Sequence, residues 1–283
     1  MIEKFERSFA LAAACWKVLL LDKEMLLFPI MSTLALIAVF GGGGLFVYSS
    51  PELLGHFQAL FQETPPDRNP VFWALMFALS FIGYFIMIFF NAGLLTCALI
   101  RFAGGDPTVM DGLSSSVRKL PQIFLWALVT ATVGWILNML ESRLKGLGRF
   151  FVGLLGTGWA VATYFVVPIL VVDGVGPVTA IRRSVAAVRK TWGEALVTHV
   201  GIGLLNLVPA VIALPLIFFG TRMYFDDPMT GSALIATGVV LLLLGALVIT
   251  TLSAILRAGL YIYAVEGEMP LHFDSKLVRS AFD

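Results

Sequence analysis

Residues 174–192 read GVGPVTAIRRSVAAVRKTW, a basic stretch that lies between two long apolar runs. Pro177 suits the first position of a helix, because a proline has no amide hydrogen to lose there. The apolar positions after it recur at helical spacing and form one narrow stripe: Ile181, Val185, Val188 and Trp192. The cations fall on the flank and far side of the same helix: Arg182, Arg183, Arg189 and Lys190. The stretch therefore predicts a two-faced helix.

The neighbours of this helix decide what its apolar stripe should face. A soluble protein could turn the same stripe toward its core, but here apolar runs of bilayer length lie on both sides. We therefore expect the helix at the headgroup boundary, with the stripe in acyl chains and the cations toward water and anionic lipid. Each cation near an anionic surface contributes on the order of 1 kcal/mol.

The composition places the chain in the membrane class. Of its 283 residues, 59% are hydrophobic and 13% are charged, and the mean hydropathy is +0.92. A typical globular protein has about 25% charged residues. The net charge of +1 gives no reason to expect a nucleic-acid partner, and Cys15 and Cys97 form no metal-binding or redox pattern.

Six apolar runs are long enough to cross a bilayer, which takes about 20 residues. We therefore predict an all-α, polytopic membrane helical bundle with spans at about 25–48, 71–100, 121–140, 150–172, 195–220 and 231–264. The four glycines at 41–44 should fray or bend the far end of the first span unless a neighbouring helix packs closely there. The polar residues 49–70 are expected to form the longest loop.

Amphipathic segments precede the spans in a repeated order. They lie at about 1–24, 107–120 and 174–192, and a fourth lies in the tail at about 271–282. A G-x-x-P pattern opens the later ones, at 104–107, 174–177 and 267–270. We interpret residues 1–283 as a single integral membrane domain with internal units of about 1–100, 101–172 and 173–264, followed by an amphipathic tail, 265–283. Each unit is an interfacial helix followed by a transmembrane hairpin.

The distribution of cations predicts the orientation. With six spans, fourteen Lys and Arg residues lie on the side of the termini and the amphipathic segments, against five on the other side. Cytoplasmic loops are rich in cations, so both termini and all the amphipathic helices should be cytoplasmic. The link at 141–149 carries three cations and resists this assignment.

No sequence pattern indicates catalysis. The chain has no HExxH, G-x-S-x-G or Walker motif and no cluster of His or Cys ligands, so we expect no enzyme, cofactor or metal site. Eight cations are candidate contacts for lipid headgroups: Arg182, Arg183, Arg189, Lys190, Arg118, Lys119, Lys4 and Arg7. Four polar residues lie within the predicted spans: His199, Asn206, Asn91 and Asn138. His199 and Asn206 share a helix face that suits a permeation path or, equally, hydrogen bonds between helices.

The N-terminal segment carries an extended motif, R-S-x(7)-W-x(5)-D-K-E-x-L-x-F-P. Its residues are Arg7, Ser8, Trp16, Asp22, Lys23, Glu24, Leu26, Phe28 and Pro29. With this opening the chain resembles an uncharacterised prokaryotic family of six-span membrane proteins. More loosely, its units look like the membrane domain attached to some glycerophosphodiester phosphodiesterases. The resemblance implies an architecture and a bacterial or archaeal plasma membrane, and it supplies no activity.

Two functional hypotheses follow, and a third, an integral membrane enzyme, would require a closed polar pocket at the cytoplasmic edge near Glu194 and His199. In the first, the chain is a non-enzymatic membrane protein whose cytoplasmic helices engage membrane lipids, anionic ones among them, or a protein partner. In the second, it is a homo-oligomeric channel or transporter for a small solute or lipid, and His199 and Asn206 line the path.

Overall fold

The computed structural model describes residues 2–63, 69–190, 207–267 and 270–271. Every regular element in these ranges is helical, as predicted. Within the described residues, five helical segments are long and apolar enough to cross a membrane: Lys23–Ser49, Pro70–Phe102, Leu120–Arg143, Leu147–Asp173 and Pro228–Val265. They coincide with the first, second, third, fourth and sixth predicted spans. The chain is thus a multi-pass membrane protein by the length and composition of its helices.

The fifth predicted span is described only in its second half. Residues 195–206 lie outside the described residues, and the helix Leu207–Met223 has 17 residues, fewer than the roughly 20 that a crossing needs. A sixth span therefore stays a prediction.

The helices have the following bounds. The first part of the chain contains α1 (Ile2–Leu21), a 3₁₀ turn (Lys23–Leu26), α2 (Leu27–Leu36), a π turn (Ile37–Gly41), α3 (Gly42–Ser49), α4 (Pro51–Glu63) and α5 (Pro70–Phe102). The middle part contains α6 (Val109–Arg118), α7 (Leu120–Arg143), α8 (Leu147–Ala162), α9 (Val166–Asp173) and α10 (Pro177–Lys190). The last part contains α11 (Leu207–Met223), α12 (Pro228–Tyr261) and a π turn (Ile262–Glu266).

These elements form two compact units. The first comprises residues 1–29, 94–109 and 186–283, and the second comprises residues 30–93 and 110–185. The single-domain, three-unit organisation read from the sequence stays a prediction.

One local prediction, for the segment after the first span, was wrong. Residues 49–70 contain the helix α4 where a loop was expected, because apolar residues recur there at helical spacing within a polar stretch. The chain also remains helical through Gly42–Ser49, and the irregularity precedes most of the glycines as the π turn Ile37–Gly41. A π turn of this kind widens one turn of a helix without ending it.

In the second unit, α5 packs on α7 through a ladder of aromatic rings. Trp73 and Phe77 contact Trp135 with centroid distances of 5.3 and 5.8 Å, and Phe81 contacts Phe124 at 5.0 Å. These pairs are edge-to-face, the arrangement that the ring quadrupole favours. The ladder holds α5 and α7 in an antiparallel pair.

In the first unit, α11 and α12 pack closely through glycines. A Cβ atom at Gly238 would lie 2.9 Å from the Ala213 carbonyl oxygen, and one at Gly245 would lie 2.5 Å from Cγ of Pro209. Gly231 continues the same stripe, one heptad before Gly238. Small residues with this spacing let two membrane helices approach each other at backbone distance.

Candidate functional site

The fourth span is interrupted between α8 and α9, and the neighbouring helix α10 supplies a hydrogen-bond acceptor at this interruption. Pro168 has no amide hydrogen for the carbonyl of Tyr164, so a continuous helix cannot pass through this point without loss. Residues 163–165 form a turn between α8 and α9. The amide of Phe165 donates a hydrogen bond of 3.1 Å to the Oγ of Ser184 in α10. Both residues are fully buried, so water cannot satisfy this amide in place of Ser184.

This contact fixes which face of α10 is turned inward. The buried positions are Ala180, Ser184, Ala187 and Val188. Ile181 and Val185, two members of the predicted stripe, are half-buried, and Trp192 lies outside the described residues. The helix therefore packs on its own protein mainly through small residues, and the predicted apolar stripe shares only Val188 with this buried face. A small-residue face allows a closer approach than the larger stripe would.

Two of the predicted headgroup cations, Arg183 and Lys119, lie at the end of the fourth span. Arg183 forms an ion pair with Asp173, the last residue of α9. Gly174 follows with a left-handed backbone, φ 65°, and its carbonyl accepts a hydrogen bond of 3.2 Å from Nε2 of Gln122. The Nζ of Lys119 lies 2.5 Å from the place that a Cβ on Gly174 would occupy. Cations are favourable at this end of a helix, where carbonyl groups lack partners.

Three other predicted cations remain available. Arg118, Arg182 and Arg189 are exposed, and none of them makes an ion pair within the described part of the chain. Arg182 and Arg189 are seven residues apart on α10, so they share the face that points away from Ser184. The backbones of Lys4, Arg7 and Lys190 are described, but their side chains are not.

The other basic helix, α6, is anchored in a similar way. The Ser116 hydroxyl donates a hydrogen bond of 2.9 Å to the Phe89 carbonyl in α5, and Ser116 is 1% exposed. The nearby Ser114 instead donates a hydrogen bond of 3.0 Å to the Asp111 carbonyl within its own helix. Ser116 anchors the helix because it lies on the inner face, while Arg118 is turned outward.

The N-terminal motif also has a structural role at its aspartate. Asp22 forms a two-pronged ion pair with Arg101, at the end of α5, and Arg101 also pairs with Asp106. Asp22 and Phe28 are buried, whereas Trp16 is 44% exposed. The motif aspartate thus connects the start of the first span to the end of the second.

The intramembrane polar residues do not form one site in the described part of the chain. Asn138 lies three residues beyond Trp135, which contacts Trp73, whereas Asn91 is eighteen residues beyond Trp73 in α5. At 1.5 Å per residue, Asn91 is about 27 Å along α5 from this contact. Asn91 is half-buried and Asn138 is exposed. His199 and Asn206 lie outside the described residues.

The structure also shows two features that the sequence reading missed. The aromatic ladder on α5 could have been found from its spacing of four residues, and the glycine stripe on α12 from its spacing of seven. The break itself is in line with Pro168, since a proline within a membrane helix predicts a kink. Across the described ranges, no three or more His, Cys, Asp or Glu side chains come together as a metal site.

A comparison with protein families finds one match over residues 71–271, to the "Family of unknown function (DUF6159)". The match begins after the N-terminal motif, so it rests on the later spans and on helices α6 and α10. No curated protein matches the chain significantly, and no solved structure does so. The looser likeness to a phosphodiesterase-linked membrane domain therefore gains no support from these comparisons.

Proposed function

Because the chain belongs to this family of unknown function, we propose its role from the site: an integral plasma-membrane protein without enzymatic activity, whose basic helices α6 and α10 bind anionic lipid headgroups. The observation that carries the proposal is that some of the cations lie against the protein itself while others are exposed. Arg183 and Lys119 lie against the end of α9. Arg118, Arg182 and Arg189 are exposed.

The anchoring of these helices supports a lipid site over an incidental basic surface. Buried serines attach α10 to the break at Phe165 and α6 to α5. A helix fixed in this way presents its arginines in a constant direction and loses little freedom when a headgroup binds. Guanidinium groups can also bind a phosphate with two parallel hydrogen bonds, which favours phospholipid headgroups.

The size of the effect follows from the charges. Each arginine near an anionic surface contributes on the order of 1 kcal/mol, and 1.4 kcal/mol corresponds to a factor of ten in affinity. Three arginines together therefore change the preference for anionic lipid by about 100-fold at low salt, and by less as salt screens the charges.

The test measures stabilisation of the whole chain by added lipid in detergent micelles. Phosphatidylglycerol should raise the melting temperature more than phosphatidylcholine does, and the combined variant Arg118→Gln, Arg182→Gln and Arg189→Gln should lose the difference. The matched control is Asp173→Asn with Arg183→Gln, which removes one paired arginine without changing the net charge. Loss of the difference in the control, or its persistence in the triple variant, would count against the proposal.

The proposal also covers the membrane in which the protein lies and its orientation there. We place the protein in a bacterial or archaeal plasma membrane, with α6, α10 and both termini in the cytoplasm, because the cation-rich side of a membrane protein is cytoplasmic. Labelling with a membrane-impermeant reagent from each side of sealed vesicles tests this orientation. Reaction of a cysteine placed at position 182 from the cytoplasmic side is the expected result.

The break in the fourth span favours a second candidate, a homo-oligomeric channel or transporter. Discontinuous membrane helices recur in transporters, where the freed backbone groups coordinate the substrate. Here Ser184 takes up the freed amide of Phe165, which favours a structural role for the break. Solute flux in proteoliposomes that is abolished by His199→Ala or Asn206→Leu would favour transport over lipid binding alone.

A further inference from the structure

The helix α4 begins almost immediately where the first span ends. Ser49 is the last residue of α3, Ser50 is extended with φ −107° and ψ 98°, and α4 starts at Pro51. A single linking residue spans at most about 3.5 Å. The start of α4 therefore lies at the same depth as the end of the span, next to Tyr48, which is 75% exposed.

The sequence of α4 separates into an apolar and a polar face. At about 100° per residue, Leu53 and Leu54 begin an apolar arc, and positions 57, 60 and 61 (Phe, Leu and Phe in the sequence) fall within the same arc of about 120°. Glu52, His56 and Gln58 lie on the remaining circumference. The Nδ1 of His56 is 2.7 Å from the Glu52 carbonyl oxygen. Leu53 is 39% exposed, so the protein leaves much of it uncovered.

The span that precedes α4 indicates what covers the apolar face of this helix. Leu45 and Phe46 are 69% and 64% exposed on α3, and in a membrane span such side chains contact acyl chains. The apolar arc of α4 continues this surface from the point where the span ends. The helix carries Glu52 and Glu63 and no lysine or arginine, so attraction to anionic headgroups cannot hold it at the membrane.

We propose that α4 is an interfacial helix in the leaflet opposite to the basic helices, where its Leu53 and Leu54 face enters the acyl region independently of lipid charge. The first candidate span lies between α1 and α4, and the second lies between α4 and α6. The chain thus contacts one leaflet through the apolar side chains of α4 and the other leaflet through the arginines of the basic helices.

The experiment uses spin labels on the full-length protein in lipid vesicles. Single cysteines replace Leu53 or Leu54 on the apolar face, and Glu52, His56 or Gln58 on the polar face. The native Cys15 and Cys97 are 0% and 2% exposed, and burial raises the pKa of the Cys15 thiol to about 12. Unmodified protein carried through the same labelling gives the background signal.

Collision rates with oxygen and with a water-soluble nickel chelate report the depth of each label. We expect positions 53 and 54 to favour oxygen, and positions 52, 56 and 58 to favour the nickel chelate. Uniform access of the chelate would overturn the proposal, because it would place α4 in water. Protection of positions 53 and 54 from both reagents would also overturn it, because a protein surface would then cover the face.

The second part of the experiment varies the lipid composition of the vesicles. The depth of the labels at 53 and 54 should be the same in vesicles of phosphatidylcholine and in vesicles that contain phosphatidylglycerol. A depth that depends on lipid charge would contradict insertion by apolar contact. The outcome is separate from the test of Arg118, Arg182 and Arg189, so either proposal can fail without the other.

Discussion

The amide nitrogen of Phe165 and the hydroxyl oxygen of Ser184 are 3.1 Å apart and both residues are fully buried, so a basic helix supplies the acceptor for a backbone amide at the break in a membrane span. This bond orients α10. The helix is held by its own protein at Ser184 and directs Arg182 and Arg189 outward from that contact. A buried serine also anchors α6, where the Ser116 hydroxyl donates a hydrogen bond to the Phe89 carbonyl of α5.

Ser184→Ala should lower the free energy of unfolding by about 1–3 kcal/mol, because the buried Phe165 amide loses its acceptor. Ser116→Ala is the matched control. Its bond goes to a carbonyl in the interior of α5, so we expect a loss of about 0.5–1 kcal/mol. Unfolding of both variants by a denaturing detergent in mixed micelles measures the difference. Equal losses would show that the Phe165 amide does not depend on Ser184.

The buried ion pair of Asp22 with Arg101 should contribute far more to the free energy of unfolding than the exposed ion pair of Asp106 with Arg101. Asp22→Ala leaves Arg101 without its buried partner and should cost about 3 kcal/mol, because the side chain of Asp22 is 6% exposed. Asp106→Ala removes the other partner of the same arginine. Since the Asp106 side chain is 94% exposed, we expect at most about 1 kcal/mol. The same unfolding measurement ranks the two variants, and a larger loss for Asp106→Ala would refute the assignment.

The close packing of α11 on α12 should not tolerate a methyl group. Gly238→Ala would place a Cβ 2.6 Å from Cγ1 of Ile217, and overpacking of this kind costs about 1–3 kcal/mol. Gly153 in α8 has no atom within 4 Å of the corresponding position. Gly153→Ala should therefore be neutral or stabilising by up to about 1 kcal/mol. Thermal unfolding of the two variants under identical conditions tests the prediction, which fails if both behave alike.

Asp227 should make the start of α12 sensitive to acid. Hydrogen bonds from the Thr230 hydroxyl and the Thr230 and Met229 amides lower the pKa of Asp227 below its usual range. A lowered pKa means that the stabilisation is present above the ordinary carboxyl pKa of about 3.9 and is lost as the pH falls through the folded value.

The control for Asp227 is Asp227→Asn, which keeps a capping oxygen but does not titrate. The melting temperature of the natural protein should exceed that of Asp227→Asn at pH 6, and the difference should shrink steadily on acidification below about pH 4. Hydrogen exchange at the amide of Met229 gives a local measure of the same change. A difference that persists undiminished at low pH would rule out the carboxylate as the cap.

The sequence could predict those features that depend on local hydropathy. The spans at Pro70–Phe102 and Leu120–Arg143 were visible as apolar runs, and α10 was visible from Pro177 and its periodic pattern. The helix α4 was missed because the average polarity of its segment concealed the apolar arc that begins at Leu53. The inner face of α10 was misjudged because small residues such as Ala180 and Ser184 gave no hydropathy signal. Contacts between distant segments, such as Asp22 with Arg101, have no local pattern at all.

The most direct test of the central claim counts the lipids that the intact protein retains, by native mass spectrometry from micelles with equal phosphatidylglycerol and phosphatidylcholine. The natural protein should retain phosphatidylglycerol preferentially. The triple variant Arg118→Gln, Arg182→Gln and Arg189→Gln should retain both lipids equally, whereas Asp173→Asn with Arg183→Gln should keep the preference. Equal retention of both lipids by the natural protein, or an unchanged preference in the triple variant, would contradict the claim that these arginines bind anionic headgroups.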